Sequence, residues 1–297
     1  FSTIILAVEL INEDDIYQAD LVKFYLEKGE YKLALLSYDA LDYEPTDSLM
    51  FMQCKALAKL DSAEAAVNSM TKLIMKTENN LIKISAISLI NEVLANLPPL
   101  RKIEILTKAL ENTNPDEIEA DLLLILAEIY ESLRLFSEAN DIYQTILYSQ
   151  ITIDSSLIKL RVVVNKIQMK DYQDAIVDLN EVVQDSLHRE EALFFQYISH
   201  SSLENKDEAK QALLRLFTDY PDSRYNKEVM EQLANVYRAE KQYIMSWYFF
   251  QQLLNVSDEI DKVAVEQEIE LLKKKLSSGR LETDQFKFLA PNLFEKN

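Results

Sequence analysis

Apolar residues recur through this chain at spacings of three and four, as in Leu126/Tyr130, Ala139/Tyr143/Ile146 and Leu233/Tyr237, with charged residues between them. Side chains three and four apart stack on one face of a helix, so the pattern predicts amphipathic helices and argues against strands. A longer period lies over the short one. Tyr31/Ala34/Tyr38, Phe136/Ala139/Tyr143, Tyr172/Ala175/Leu179 and Tyr243/Ser246/Phe250 each place a large residue, a small one three positions on, and a large one four further. The small residues Ala34, Ala66, Ala139, Ala175, Ala209 and Ser246 stand 32, 73, 36, 34 and 37 apart, and 73 is two periods with one degenerate copy between. At 1.5 Å of rise per residue, about 35 residues accommodate two helices of three to four turns and two short turns. The expected fold is all-α, built from about seven helix pairs.

The chain punctuates this plan consistently. Pro45, Pro115 and Pro221 fall after second helices, where a residue without a backbone N–H ends a helix at no loss. The two glycines, Gly29 and Gly279, fall where helices are expected to stop. Ser257 is the expected N-cap of a last helix, with Asp258, Glu259 and Asp261 in its first turns and Lys273, Lys274 and Lys275 in its last, an arrangement that suits the helix dipole.

These repeats resemble the tetratricopeptide family, whose unit is a 34-residue helix-turn-helix. Leu126, Ala127 and Tyr130 followed by Phe136, Ala139, Tyr143 and Ile146 reproduce the family's order, as do Leu233, Ala234 and Tyr237 followed by Tyr243, Ser246, Phe250 and Leu253. A small side chain on each partner lets the helix axes approach, and large ones fill the flanking grooves. Other copies depart from the pattern. The second has Cys54 at a small-residue position and Ala63 in place of the turn aromatic; the third, near 81–114, has Pro98-Pro99 at its turn; the sixth has Lys206 at the aromatic position and Tyr197 at a small one. The resemblance implies a right-handed superhelical solenoid over residues 1–256, followed by a capping helix over 257–279 and an aromatic tail over 280–297. No Gly/Ser/Pro-rich linker interrupts the 297 residues, and a repeat array has no size limit because each unit packs only on its neighbours.

A net charge of −19 disfavours nucleic acid and anionic membrane surfaces, since a polyanion would be repelled. It leaves open either solvated outer faces or a basic partner. The only cysteine, Cys54, sits at a packing position; the only histidines, His188 and His200, lie 12 apart with no cysteine beside them and no zinc-protease spacing. Two isolated glycines cannot form a phosphate loop, and no metal or cofactor site is expected. Asn255-Val256-Ser257 matches a glycosylation sequon, a short motif that occurs by chance. No run of about 20 apolar residues is present, so no transmembrane helix is expected, and the apolar stretch Phe1 to Leu10 reads as the start of a first helix.

The segment Leu213 to Ser223, with Tyr220-Pro221-Asp222-Ser223 at its end, also resembles the turn of repeats in bacterial envelope proteins, among them the β-barrel assembly lipoprotein and the Tol-Pal coordinator. That resemblance implies a periplasmic scaffold for envelope assembly. A cytoplasmic location is the alternative, since cytoplasmic repeat proteins use the same turn.

In the tetratricopeptide family the first helices of successive units line a concave face that takes a peptide or a helix. The positions of the family's carboxylate clamp hold Ala19 and Lys23, Leu124 and Glu128, and Leu160 and Val164 here, so capture of a chaperone tail is not expected. Leu157, Leu160, Val164 and Ile167 are expected to project with Phe194 and Ile198 as an apolar groove. Its occupant is either a protein or peptide partner carrying a basic or apolar segment, the chain's own tail, or a second copy in a homo-oligomer. In the tail, Phe286, Phe288, Leu289, Leu293 and Phe294 are expected to pack on the last repeat around Trp247, Phe249 and Leu253, or else to serve as a linear motif for a partner. The function expected is therefore a non-catalytic interaction scaffold or adaptor. The alternatives are the envelope role and an enzyme with scattered groove carboxylates.

Overall fold

A computed structural model describes residues 13–60, 62–111, 120–148, 154–184, 187–256 and 262–278. Among them every regular element is a helix. Fifteen helices follow one another: α1 (Glu13–Glu27), α2 (Tyr31–Asp39), α3 (Asp47–Lys59), α4 (Ala63–Lys76), α5 (Asn80–Ala95), α6 (Pro99–Leu110), α7 (Ala120–Ser132), α8 (Phe136–Tyr148), α9 (Ser155–Gln168), α10 (Tyr172–Val182), α11 (Arg189–Ser202), α12 (Lys206–Asp219), α13 (Asn226–Ala239), α14 (Tyr243–Val256) and α15 (Lys262–Ser278). The chain divides into two compact units, Phe1–Ile158 and Lys159–Asn297.

In the first unit, Ala34, Ala66 and Ala139 are buried on the second helices α2, α4 and α8, and Val22, Cys54, Ile90 and Ala127 are buried on the first helices α1, α3, α5 and α7. Small side chains at these crossings let large ones such as Met70, Leu73, Ile74, Leu106 and Tyr143 fill the space between helices. Each fully buried Leu, Ile or Met side chain contributes roughly 1.5–3 kcal/mol. Local chemistry fixes the helix starts. The Thr46 hydroxyl accepts from the Leu49 amide at 3.4 Å, and the Asn79 side chain accepts from Leu81 and Ile82 at 3.0 and 3.4 Å. Pro98-Pro99 opens α6 rather than breaking it: Pro99 is the first helical residue, where its missing N–H has no intrahelical partner to lose.

The second unit is organised around one apolar cluster that runs from Leu160 and Val163 on α9 to Ile269, Leu272 and Leu276 on α15. Ala175, Ala209 and Ser246 are buried on α10, α12 and α14 of this unit. Lys159 and Lys166 of α9 pair with Glu181 and Asp178 of α10, each at 2.7 Å. Trp247, Phe249 and Leu253, expected as the seat of the tail, are buried in the same cluster as the α15 residues. The tail residues Phe286, Phe288, Leu289, Leu293 and Phe294 lie outside the described residues, as do Phe1 to Leu10, Pro115, Ser257 and Gly279.

One turn recurs in both units. Gly29, Arg134, Lys170, Glu204 and Lys241 all have φ between 60° and 76°, and each stands two residues before the start of a second helix. In every case the next residue's amide reaches back five positions: Glu30 to Tyr25, Leu135 to Tyr130, Asp171 to Lys166, Asn205 to His200 and Gln242 to Tyr237, at 2.8–2.9 Å. This six-residue closure satisfies carbonyls that the end of a first helix would otherwise leave unbonded.

Candidate functional site

Buried residues on the first helices set the register of the surface beside them. A residue three before and a residue one after a buried position share a face, being four apart. In the second unit Val163 on α9 and Ala234 on α13 are fully buried, and Tyr197 holds the equivalent place on α11. The flanking positions are Leu160 and Val164 on α9, Phe194 and Ile198 on α11, and Glu231 and Asn235 on α13. Leu160 and Phe194 are each only 8% exposed and belong to the apolar cluster, so they form a floor. Ile167 and Ile198 are half-buried against that cluster, and Val164 is half-buried as well. Leu157 is 41% exposed and belongs to the first unit.

The turn Tyr220 to Tyr225 secures the floor. The Phe194 ring stacks on Tyr225 with centroids 4.0 Å apart, Arg224 pairs with Glu191 at 2.9 Å, and the Ser223 hydroxyl donates to Glu190 at 2.7 Å. Phe194 also lies 6.1 Å from the ring of Tyr197. Burial raises the Tyr197 phenol above its ordinary pKa and the nearby Glu228 and Glu231 carboxylates add to this, against a hydrogen bond with Ser201 that lowers it. Both glutamates are exposed on α13. The face thus changes along the unit from apolar at α9 and α11 to acidic at α13. Sequence periodicity points to the apolar residues, whereas the acidic margin emerges only once α13 packs beside α11.

Cys54 and His200, singled out in the sequence, are both drawn into the packing. Burial pushes the Cys54 thiol up to about 12, far from a nucleophile's range. His200 is half-buried and its pKa is lowered by that burial, with Glu208 opposing; His188 precedes α11. Among the described residues no three His, Cys, Asp or Glu side chains come together in a way that could hold a metal ion, and no helix is long and apolar enough to cross a membrane. In the first unit a cleft of about 480 Å³ opens between Ala63, Asn68, Leu97 and Arg101, but its cations are already engaged. Arg101 binds Glu64 at 3.2 Å and Glu104 at 2.5 Å, and Lys108 also binds Glu64.

Known structures agree with this architecture. The C-terminal part of a TPR repeat-containing protein from Cytophaga hutchinsonii superimposes with a TM-score of 0.54 at 12% identity, over 84% of this chain and 99% of that one. The apo form of RapI superimposes with a TM-score of 0.51 at 13% identity, over 95% of this chain and 86% of its own. No family model and no curated protein matches the sequence. At such low identity the likeness is one of fold: the described residues form an array of helices with the fold of these tetratricopeptide-like structures.

Proposed function

We propose that the protein is a non-catalytic scaffold whose second unit takes a partner segment on the first-helix face of α9, α11 and α13. The observation that supports this reading is the row of Val164, Ile167 and Ile198 above the buried Leu160 and Phe194, next to the exposed carboxylates of Glu228 and Glu231. A partner suited to it offers apolar side chains to the first part and a lysine or arginine to the second. Coordination of envelope assembly is a narrower reading that rests on the Tyr220-Pro221-Asp222-Ser223 turn alone. That turn is already accounted for by packing, since Ser223 and its neighbour Arg224 hold the start of α11.

The test is affinity capture with mass spectrometry on the wild type and on a Val164→Asp/Ile198→Asp variant. A partner held by the wild type and lost from the variant, with the circular dichroism spectrum and thermal midpoint unchanged, supports the site. A partner held equally by a folded variant places the contact elsewhere.

A further inference from the structure

The first described helix carries an exposed aromatic residue at a place that later first helices cover. Val22 is fully buried on α1, and Phe24, two residues on, is 51% exposed. The residues two after the equivalent buried positions are Ala56 on α3, Asn165 on α9 and Ser199 on α11, none more than 1% exposed, and Ile129 on α7 and Val236 on α13, both half-buried. The degenerate third unit departs, with Glu92 on α5 paired to Lys59 at 3.2 Å. α3, α7, α11 and α13 each pack on the second helix before them. On α11 the face concerned is turned to that helix: Gln196, one turn before Ser199, donates to Asn180 of α10 at 2.9 Å. The matching pair on α1 is Leu21 and Phe24, three apart on one face. Among the described residues no helix precedes α1, so Leu21 is half-buried and Phe24 stands open.

The chain carries a segment suited to this edge. Residues 1–10 are mainly apolar, and Phe1, Ile4, Ile5 and Val8 recur at the spacing of one helix face. Asn12, of a type that favours helix N-caps, stands just before Glu13, where α1 begins. At 1.5 Å per residue ten helical residues span about 15 Å, and the rise from Glu13 to Phe24 is about 16 Å. A helix that doubles back at residues 11–12 therefore brings Phe1 and Ile4 level with Phe24 and Leu21.

We propose that residues 1–10 form this short antiparallel helix and cover Leu21 and Phe24, closing the edge at which a terminal unit lacks a neighbour. A second copy is the less suited occupant, because two chains of net charge −19 repel one another. The capped array then presents no open edge for end-to-end association.

Thiol labelling tests this. In a Cys54→Ala background, Phe24→Cys places the one thiol of the chain at the edge. It is expected to react with an aromatic disulfide reagent at least tenfold more slowly than in the same protein carrying Ile4→Asp/Ile5→Asp, with circular dichroism unchanged. Because Phe24→Cys trims the contact itself, hydrogen exchange of the otherwise wild-type chain supplies a second readout. Amides within residues 4–8 are expected to be protected and to exchange at least tenfold faster on Phe24→Asp, while Cys54 stays unlabelled as a folded first unit requires. Fast labelling of both cysteine proteins together with unprotected amides, or protection that Phe24→Asp leaves unchanged, overturns the proposal. So does slow labelling that persists with Ile4→Asp/Ile5→Asp, which assigns the cover to another segment, or that is lost on dilution as light scattering shows dimers giving way to monomers, which assigns it to a second copy.

Discussion

The Phe194 ring lies on that of Tyr225 with planes 12° from parallel, joining the middle of α11 to the residue before α13. Because Phe194 is buried and Tyr225 half-buried, the stack serves stability first and lies beneath any docked segment. Phe194→Ala is expected to cost about 3–5 kcal/mol by emptying that space. In a double-mutant cycle with Tyr225→Ala, the coupling energy is expected to be about 0.5–1.5 kcal/mol beyond area burial. Urea denaturation of the four proteins measures it, and zero coupling would mean that the rings do not meet in solution.

The five left-handed turns predict a pair of opposite responses. Lys170 and Glu204 hold φ of 65° and 61° with side chains that disfavour that region by roughly 1–2 kcal/mol. Glycine removes this strain but brings back about 0.5–1 kcal/mol of chain entropy. Lys170→Gly and Glu204→Gly are thus expected to stabilise by up to about 1 kcal/mol. Gly29→Ala is expected to destabilise by a similar amount: its Cβ would meet only the Tyr31 hydroxyl at 3.9 Å, but φ is 76°. Denaturation midpoints that move the other way in both sets would rule out the left-handed assignment.

Much of this architecture is legible in the sequence because close helix crossings admit few side chains. Ala34, Ala66, Ala139, Ala175, Ala209 and Ser246 are all buried, each three residues into a second helix. Arg134, Lys170, Glu204 and Lys241 are not legible in the same way, since none is a glycine and the turn is written in backbone hydrogen bonds. The surface is only half legible. Periodicity picks out Leu160 and Phe194, but their burial depends on Tyr225 and the rest of the cluster.

The register itself can be tested at Ala139, which is fully buried on α8. Ala139→Leu is expected to overpack the crossing and cost about 1–3 kcal/mol. Glu138→Gln, at the exposed neighbouring position, is expected to stay within about 0.5 kcal/mol of the wild type. Thermal midpoints that fall equally for both changes, or for neither, would displace the repeat register.

Cys54 gives a readout of the first unit's integrity through its chemistry. The thiol is buried, and desolvation disfavours the thiolate, raising the pKa from 9.0 to about 12. At pH 8 iodoacetamide is therefore expected to label the folded protein only through opening, and to label it fully in denaturant. The sign of the linkage follows. An acidic group whose folded pKa is raised binds its proton more tightly when folded, so the contribution to stability is complete below pH 9. It is lost as pH rises from about 9 to about 12, where the unfolded thiol ionises first. Cys54→Ala is expected to flatten that part of the stability profile, measured by urea unfolding between pH 8 and 11. Rapid labelling of the native protein at pH 8, or identical pH profiles for wild type and variant, would show that the thiol is not enclosed between α3 and its neighbours.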